Sequence, residues 1–227
     1  MNLQRRHDLN DPSWDWRAAL SAGRLAHSSG SPERALERFR EALSLARASG
    51  DTAGSAEALN SIGVVLVGLG QLEEAATSFR EVIAATPGDP GAITASKINL
   101  AQVLTQVKQY DESVALLRSA LAEVEREAQP IEWATLQNNL GIVLSEMGRF
   151  DEAVATLRGA LEVATRVFGE RHPRTIGLLG NLGVALRREG KKAEADLFLR
   201  QALAATEATL GSSHPNAQAL RAELSAV

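Results

Sequence analysis

Apolar residues along this chain of 227 residues recur every three or four positions, as in Leu59, Ile62, Leu66 and Leu69. That spacing places them on one face of a helix. Glycines at 30, 70, 148 and 190 follow such stretches and stand where a left-handed cap ends a helix. Five residues beyond each lies an alanine (Ala35, Ala75, Ala153, Ala195), and seven further on lies Ala42, Val82, Ala160 or Ala202. Small side chains at fixed places let two helices approach where a leucine would hold them apart. The pattern predicts helical hairpins. All seven prolines fall at predicted helix starts or in linkers.

Self-comparison turns the hairpin into a repeat. Gly63 to Phe79 (GVVLVGLGQLEEAATSF), Gly141 to Leu157 (GIVLSEMGRFDEAVATL) and Gly183 to Leu199 (GVALRREGKKAEADLFL) align without gaps. Weaker copies start at Gly23 and Ala101, so the leading small residues are spaced 40, 38, 40 and 42 apart. The third copy departs most, with Ala101 for glycine, Ser113 for alanine and Lys108 at the capping position. The first lacks a large residue near its start, although Trp14 and Trp16 lie just before it.

The small residues, with the large apolar residue between them (Phe39, Phe79, Leu117, Leu157, Leu199), resemble the tetratricopeptide repeat over about residues 16 to 226. The usual repeat of that family is about six residues shorter, roughly 9 Å of helix. Long repeats, together with Phe168-Gly169-Glu170-Arg171-His172-Pro173 and its echo Leu210-Gly211-Ser212-Ser213-His214-Pro215, resemble the kinesin-light-chain type. The resemblance implies an all-α, right-handed superhelical α-solenoid of five hairpins with a C-terminal capping helix. The expected divisions are an N-terminal extension (1–15), repeats at about 16–50, 51–90, 91–129, 130–171 and 172–213, and the cap (214–227). In the cap, Ala217, Leu220 and Leu224 share one side, as a sealing helix requires.

Composition narrows the chemistry. There are 38 Ala and 31 Leu, which favours helix, and no Cys, which excludes disulfides and thiolate sites. Residues 1–8 carry two arginines with no apolar stretch behind them, so no secretory signal is expected, and no run is long enough to span a membrane. A cytoplasmic protein is the resulting expectation. A net charge of −4, with no continuous basic stripe on the first helices, argues against nucleic-acid partners.

Four scattered histidines make no convincing site, and His172 and His214 read as loop residues before helix-starting prolines. HExxH, nucleophile-elbow and Walker motifs are missing from the sequence. Gly177, Gly180 and Gly183 look like close helix packing, and the acidic pairs Glu73-Glu74, Asp111-Glu112 and Asp151-Glu152 complement helix dipoles. The expectation is therefore no enzyme, no cofactor and no metal.

In stacked hairpins the first helices line the concave groove. Asn99, Asn139 and Asn181 each lie two positions before the reference small residue, Asn138 is adjacent, and Asn60 lies three before Gly63. Asparagine is a mediocre helix former, so its recurrence mid-helix needs a reason. An amide matches the donor and acceptor of a peptide group, and the resemblance implies that asparagines here hold a peptide backbone. A ladder bonding neighbouring helices is the alternative. Arg24, Gln102 and Arg187 complete the candidate peptide-binding set, with Val64, Ile142 and Val184 between them, in a groove expected to be basic near both ends. The expected function is a scaffold that binds a peptide segment of a partner protein. A ligand-responsive receptor controlling a separate effector is the second reading, and self-association stays open.

Overall fold

A computed structural model describes residues 12–225. Positions 1–11 of the N-terminal extension, with His7, lie outside the described residues, as does the side chain of Trp14. Among the described residues there are eleven helices and no strand. The chain forms two compact units, one up to Val107 and one from Lys108 onward. The first holds α1 (Pro12–Ser28), α2 (Pro32–Ala48), α3 (Thr52–Gly68), α4 (Leu72–Ala85) and α5 (Pro90–Gln106). The second holds α6 (Tyr110–Leu121), α7 (Pro130–Glu146), α8 (Phe150–Phe168), α9 (Pro173–Arg188), α10 (Lys192–Leu210) and α11 (Pro215–Ser225). Inside each unit every helix packs against the next, and α3 touches α1 and α5 as α7 touches α9. This is the consecutive helix-pair packing of an α-solenoid.

Helix α1 starts at Pro12, so Trp16 lies inside it. Trp16 is buried, and its indole N–H donates to Asp51 at 3.2 Å while Asp51 caps α3 through the N–H of Gly54 at 2.8 Å. The large residue missing from the sequence pattern is thus supplied by this tryptophan, which packs on Gly54.

The small-residue code has a direct geometric cause. A Cβ placed on Gly23, Gly63, Gly141 or Gly183 would come within 2.5–2.6 Å of Phe39, Phe79, Leu157 or Leu199, the large residue sixteen positions on. Each of these hairpins therefore closes by setting a large side chain of its second helix onto a bare backbone of its first. Ala35, Ala75, Ala153 and Ala195 have no exposed surface. First helices between two neighbours, such as α3, bury residues on two sides (Ala56, Leu59, Val65, Leu66) and leave a narrow strip outside.

Turn chemistry ends the first helices. Gly70 and Gly148 sit at φ 74 and 75. The residue after each reaches back into the helix, Gln71 N–H to Leu66 O and Arg149 N–H to Leu144 O, both at 2.9 Å. At the same place after α5, Lys108 takes φ 62, the one non-glycine with positive φ among the described residues. The border between the two units falls at this residue, inside the copy that departs most from the pattern. The two His-Pro loops share a second device. His172 Nδ1 accepts from the N–H of Arg174, and His214 Nδ1 from the N–H of Asn216, both at 3.2 Å. Each histidine is therefore a helix cap, and His172 also stacks on Phe168 at 4.3 Å.

Candidate peptide-binding site

The narrow strip left on the first helices carries the asparagines, and the structure pairs four of them. Asn99 Nδ2 on α5 donates to Asn60 Oδ1 on α3 at 3.0 Å. In the other unit Asn181 Nδ2 on α9 donates to Asn138 Oδ1 on α7 at 2.8 Å. The register is the same in both: the acceptor lies three residues before its reference glycine, and the donor two before its own small residue. All four are half-buried. The ladder weighed against ligand contact is therefore present as two separate rungs.

The remaining candidates differ in their surroundings. Asn139 is buried, and its Nδ2 donates to Thr135 O one turn earlier on the same helix, at 2.8 Å. It points away from the strip because about 100° of helical rotation separates it from Asn138. Gln102 is exposed on α5, one turn beyond Asn99 on the same face. Arg24 on α1 is ion-paired with Glu57 on α3, and Arg187 turns toward α10, where it pairs with Asp196. Arg188 reaches across from α9 to Glu146 on α7 at 2.6 Å. The basic ends expected from the sequence thus carry their own acids. Ser145, one turn beyond Gly141 on α7, is buried.

Two recesses border the Asn138–Asn181 pair. One, of about 250 Å³ between α7 and α9, is walled by Ile131, Ala134, Phe168 and Leu178 along with both asparagines. The other, of about 390 Å³ between α9 and α11, is walled by Ile176, Gly180, Val184 and Leu220 and shares Asn181. Sequence reasoning missed Ile131 and Phe168; their signal was a large apolar residue at a helix end with no partner in the periodic face. Close packing of all three α9 glycines is likewise corrected. A Cβ on Gly177 meets nothing within 4 Å and one on Gly180 meets only Leu220 at 3.4 Å, so Gly183 alone is required by contact.

Among the described residues, no group of three or more His, Asp or Glu is placed to hold a metal, and no helix is long and apolar enough to cross a membrane.

Comparison with known proteins agrees with this geometry. A tetratricopeptide repeat family model matches residues 17–87 and 134–208, and a second such model matches 94–128. Comparison with curated proteins gives no match. Among solved structures, a Podosopora anserina protein of the kinesin light chain type with nearly identical TPR-like repeats superposes with a TM-score of 0.70 at 20% identity, covering 88% of this chain and 99% of that one. BtubC (BKLC) from P. vanneervenii gives 0.66 at 20% identity over 95% and 81% of the two chains. YrrB, described as a TPR protein with an unusual peptide-binding site, gives 0.55 at 20% identity over 92% and 94%. The first two are similar to this chain in fold, with repeats of the kinesin light chain type. With matched glycines, caps and helix pairs in place across most of its length, the chain belongs to the tetratricopeptide repeat family.

Proposed function

We propose that this chain is a non-catalytic, cytoplasmic interaction scaffold that holds an extended segment of a partner protein against its first helices. The architecture is that of a protein-interaction scaffold in general. The observation that carries the finer reading is the repeated amide pair. In each pair one amide oxygen and one amide N–H serve the bond between helices. Asn60 and Asn138 keep their Nδ2 groups, and Asn99 and Asn181 keep their Oδ1 atoms, without another protein bond among the described residues. A donor and an acceptor side by side match one peptide group whatever its side chain. Each such contact contributes on the order of 1 kcal/mol, so binding requires several together with apolar side chains in the recesses beside Asn181. The unusual peptide-binding site described for YrrB, a protein of the same fold, supports this use of the architecture.

Selection of a random peptide library on the immobilised protein tests this reading. Enriched peptides are expected to share apolar residues at fixed spacing and to protect amides of α7 and α9 from hydrogen exchange. Enrichment of sequences that protect only the second helices would contradict it.

A further inference from the structure

Two positions after the reference small residue, the first helices carry Leu25, Val65, Val103, Val143 and Ala185. About 200° of helical rotation sets this position opposite the contact with the hairpin's own second helix. From the second copy onward it is no more than 2% exposed, because α3, α5, α7 and α9 each pack on the second helix before them. Leu25 on α1 is 71% exposed, and among the described residues no helix precedes α1. Ala22, beside it, is exposed where Ile62 and Leu182 are buried. A single surface leucine is ordinary. One whose four counterparts are all covered by a helix marks a packing face that lacks its partner.

The internal copies show what such a partner carries. In all five an arginine follows the large residue of the second helix, with an aliphatic residue three places on. The first four also bury an apolar residue four places before that arginine, as in Leu36-x-x-x-Arg40-x-x-Leu43 and Val154-x-x-x-Arg158-x-x-Leu161. Leu43 packs against Ala56 and Leu59 of α3, and Leu36 borders one recess with Leu69, a turn beyond Val65. The arginine pairs with an acid just before the small residue of the next second helix. Arg40 meets Glu74 and Arg118 meets Glu152, both at 3.6 Å, and Arg158 meets Glu194. In the first copy that acid is replaced by Arg34, which is exposed and in no ion pair, with Glu33 and Glu37 on the same helix not bonded to it. A second copy of this chain therefore fits poorly. Its last second helix would bring Arg200 to Arg34, and α11 already packs on that helix.

We propose that the face formed by Leu25 of α1 and Arg34 of α2 docks an amphipathic helix of another protein. That helix repeats the apolar spacing of the internal second helices and carries an acid in place of their arginine. Its apolar residues cover Leu25 and Ala22 as a preceding second helix covers Val65 and Ile62, and its acid meets Arg34. Reversing the charge at one register admits such a helix and repels the chain's own kind. The face shares no residue with the amide pairs, so the proposal stands apart from peptide binding there.

The test is NMR titration of the isotope-labelled full chain with two helix-stapled peptides of the α8 sequence, Phe150–Phe168. One is unaltered and the other carries Arg158→Glu. Saturable shifts at Ala22 and Leu25 are expected with the Arg158→Glu peptide, which should bind at least about threefold more tightly than its parent. Leu25→Asp should abolish these shifts, and Arg34→Glu should reverse the preference between the peptides. Both substitutions fall on exposed side chains, so the fold is retained. No saturable shift, or an order of preference that Arg34→Glu leaves unchanged, overturns the proposal. A dimer of the free chain that Leu25→Asp dissociates assigns the face to a second copy. Changed amide shifts at residues 2–11 in free Leu25→Asp assign it to the chain's own N-terminal segment. Either result also overturns the proposal.

Discussion

The amide nitrogen of Asn181 on α9 donates to the amide oxygen of Asn138 on α7 at 2.8 Å, and Asn99 and Asn60 repeat that bond between α5 and α3. The bond fixes the lateral register of two first helices while leaving a donor and an acceptor on the paired side chains. Stiffening the stack and presenting a peptide-like surface are in this way two consequences of one contact. The distinction has to be drawn between residues, since Asn138 is in a pair and Asn139, its neighbour, is not.

Asn139→Ala is expected to lower stability by about 1 kcal/mol, because it removes a buried hydrogen bond to Thr135 O. Affinity for a selected peptide should stay within about twofold, given the order-of-magnitude worth of one contact. Urea unfolding and a peptide titration of the same variant separate the two effects.

Two glycines of α9 should respond with opposite signs. Gly183→Ala forces a Cβ to within 2.6 Å of Leu199 Cγ and 3.2 Å of the Leu199 backbone nitrogen, and should cost about 1–3 kcal/mol. Gly177→Ala meets nothing within 4 Å and should stabilise by about 0.5–1 kcal/mol through helix propensity. Urea midpoints moving in the same direction for both would contradict the packing account.

Lys108 holds φ 62 where the other first helices end on glycine. Lys108→Gly should raise stability by about 1 kcal/mol, the cost of a left-handed backbone at a side-chain-bearing residue. A thermal melt that is unchanged or lower would show that the lysine side chain compensates for its own strain.

His172→Ala removes both the cap on the Arg174 N–H and the stack on Phe168, and should cost about 1–2 kcal/mol. His172→Ser restores a capping oxygen and should recover part of that loss, whereas His214→Ala removes a cap without a stacked ring. Chemical denaturation of the three variants should therefore rank His172→Ala as the least stable.

The repeat, the eleven helices and the hairpin contacts were legible because each rests on a local rule repeated at a fixed interval. Gly63 and Phe79 are sixteen residues apart, and every strong copy carries a small and a large residue at that distance. The site was legible in residue type and less so in partner. Asparagine recurrence located the strip on the first helices, but a one-residue shift decides whether an amide meets its neighbour across the helix pair or its own backbone, as Asn138 and Asn139 do. Counting charges by position predicted basic groove ends because a count cannot show that Glu57, Asp196 and Glu146 pair with Arg24, Arg187 and Arg188.

The most direct measurement is the affinity of a library-selected peptide for the wild-type chain and for the Asn138→Ala/Asn181→Ala variant, with urea midpoints recorded for both. Removing two amide contacts of on the order of 1 kcal/mol each should weaken binding by about 10-fold or more while the variant stays folded. Equal affinity in a folded double variant would contradict the claim that the amide pairs hold a peptide and leave them as structural rungs alone.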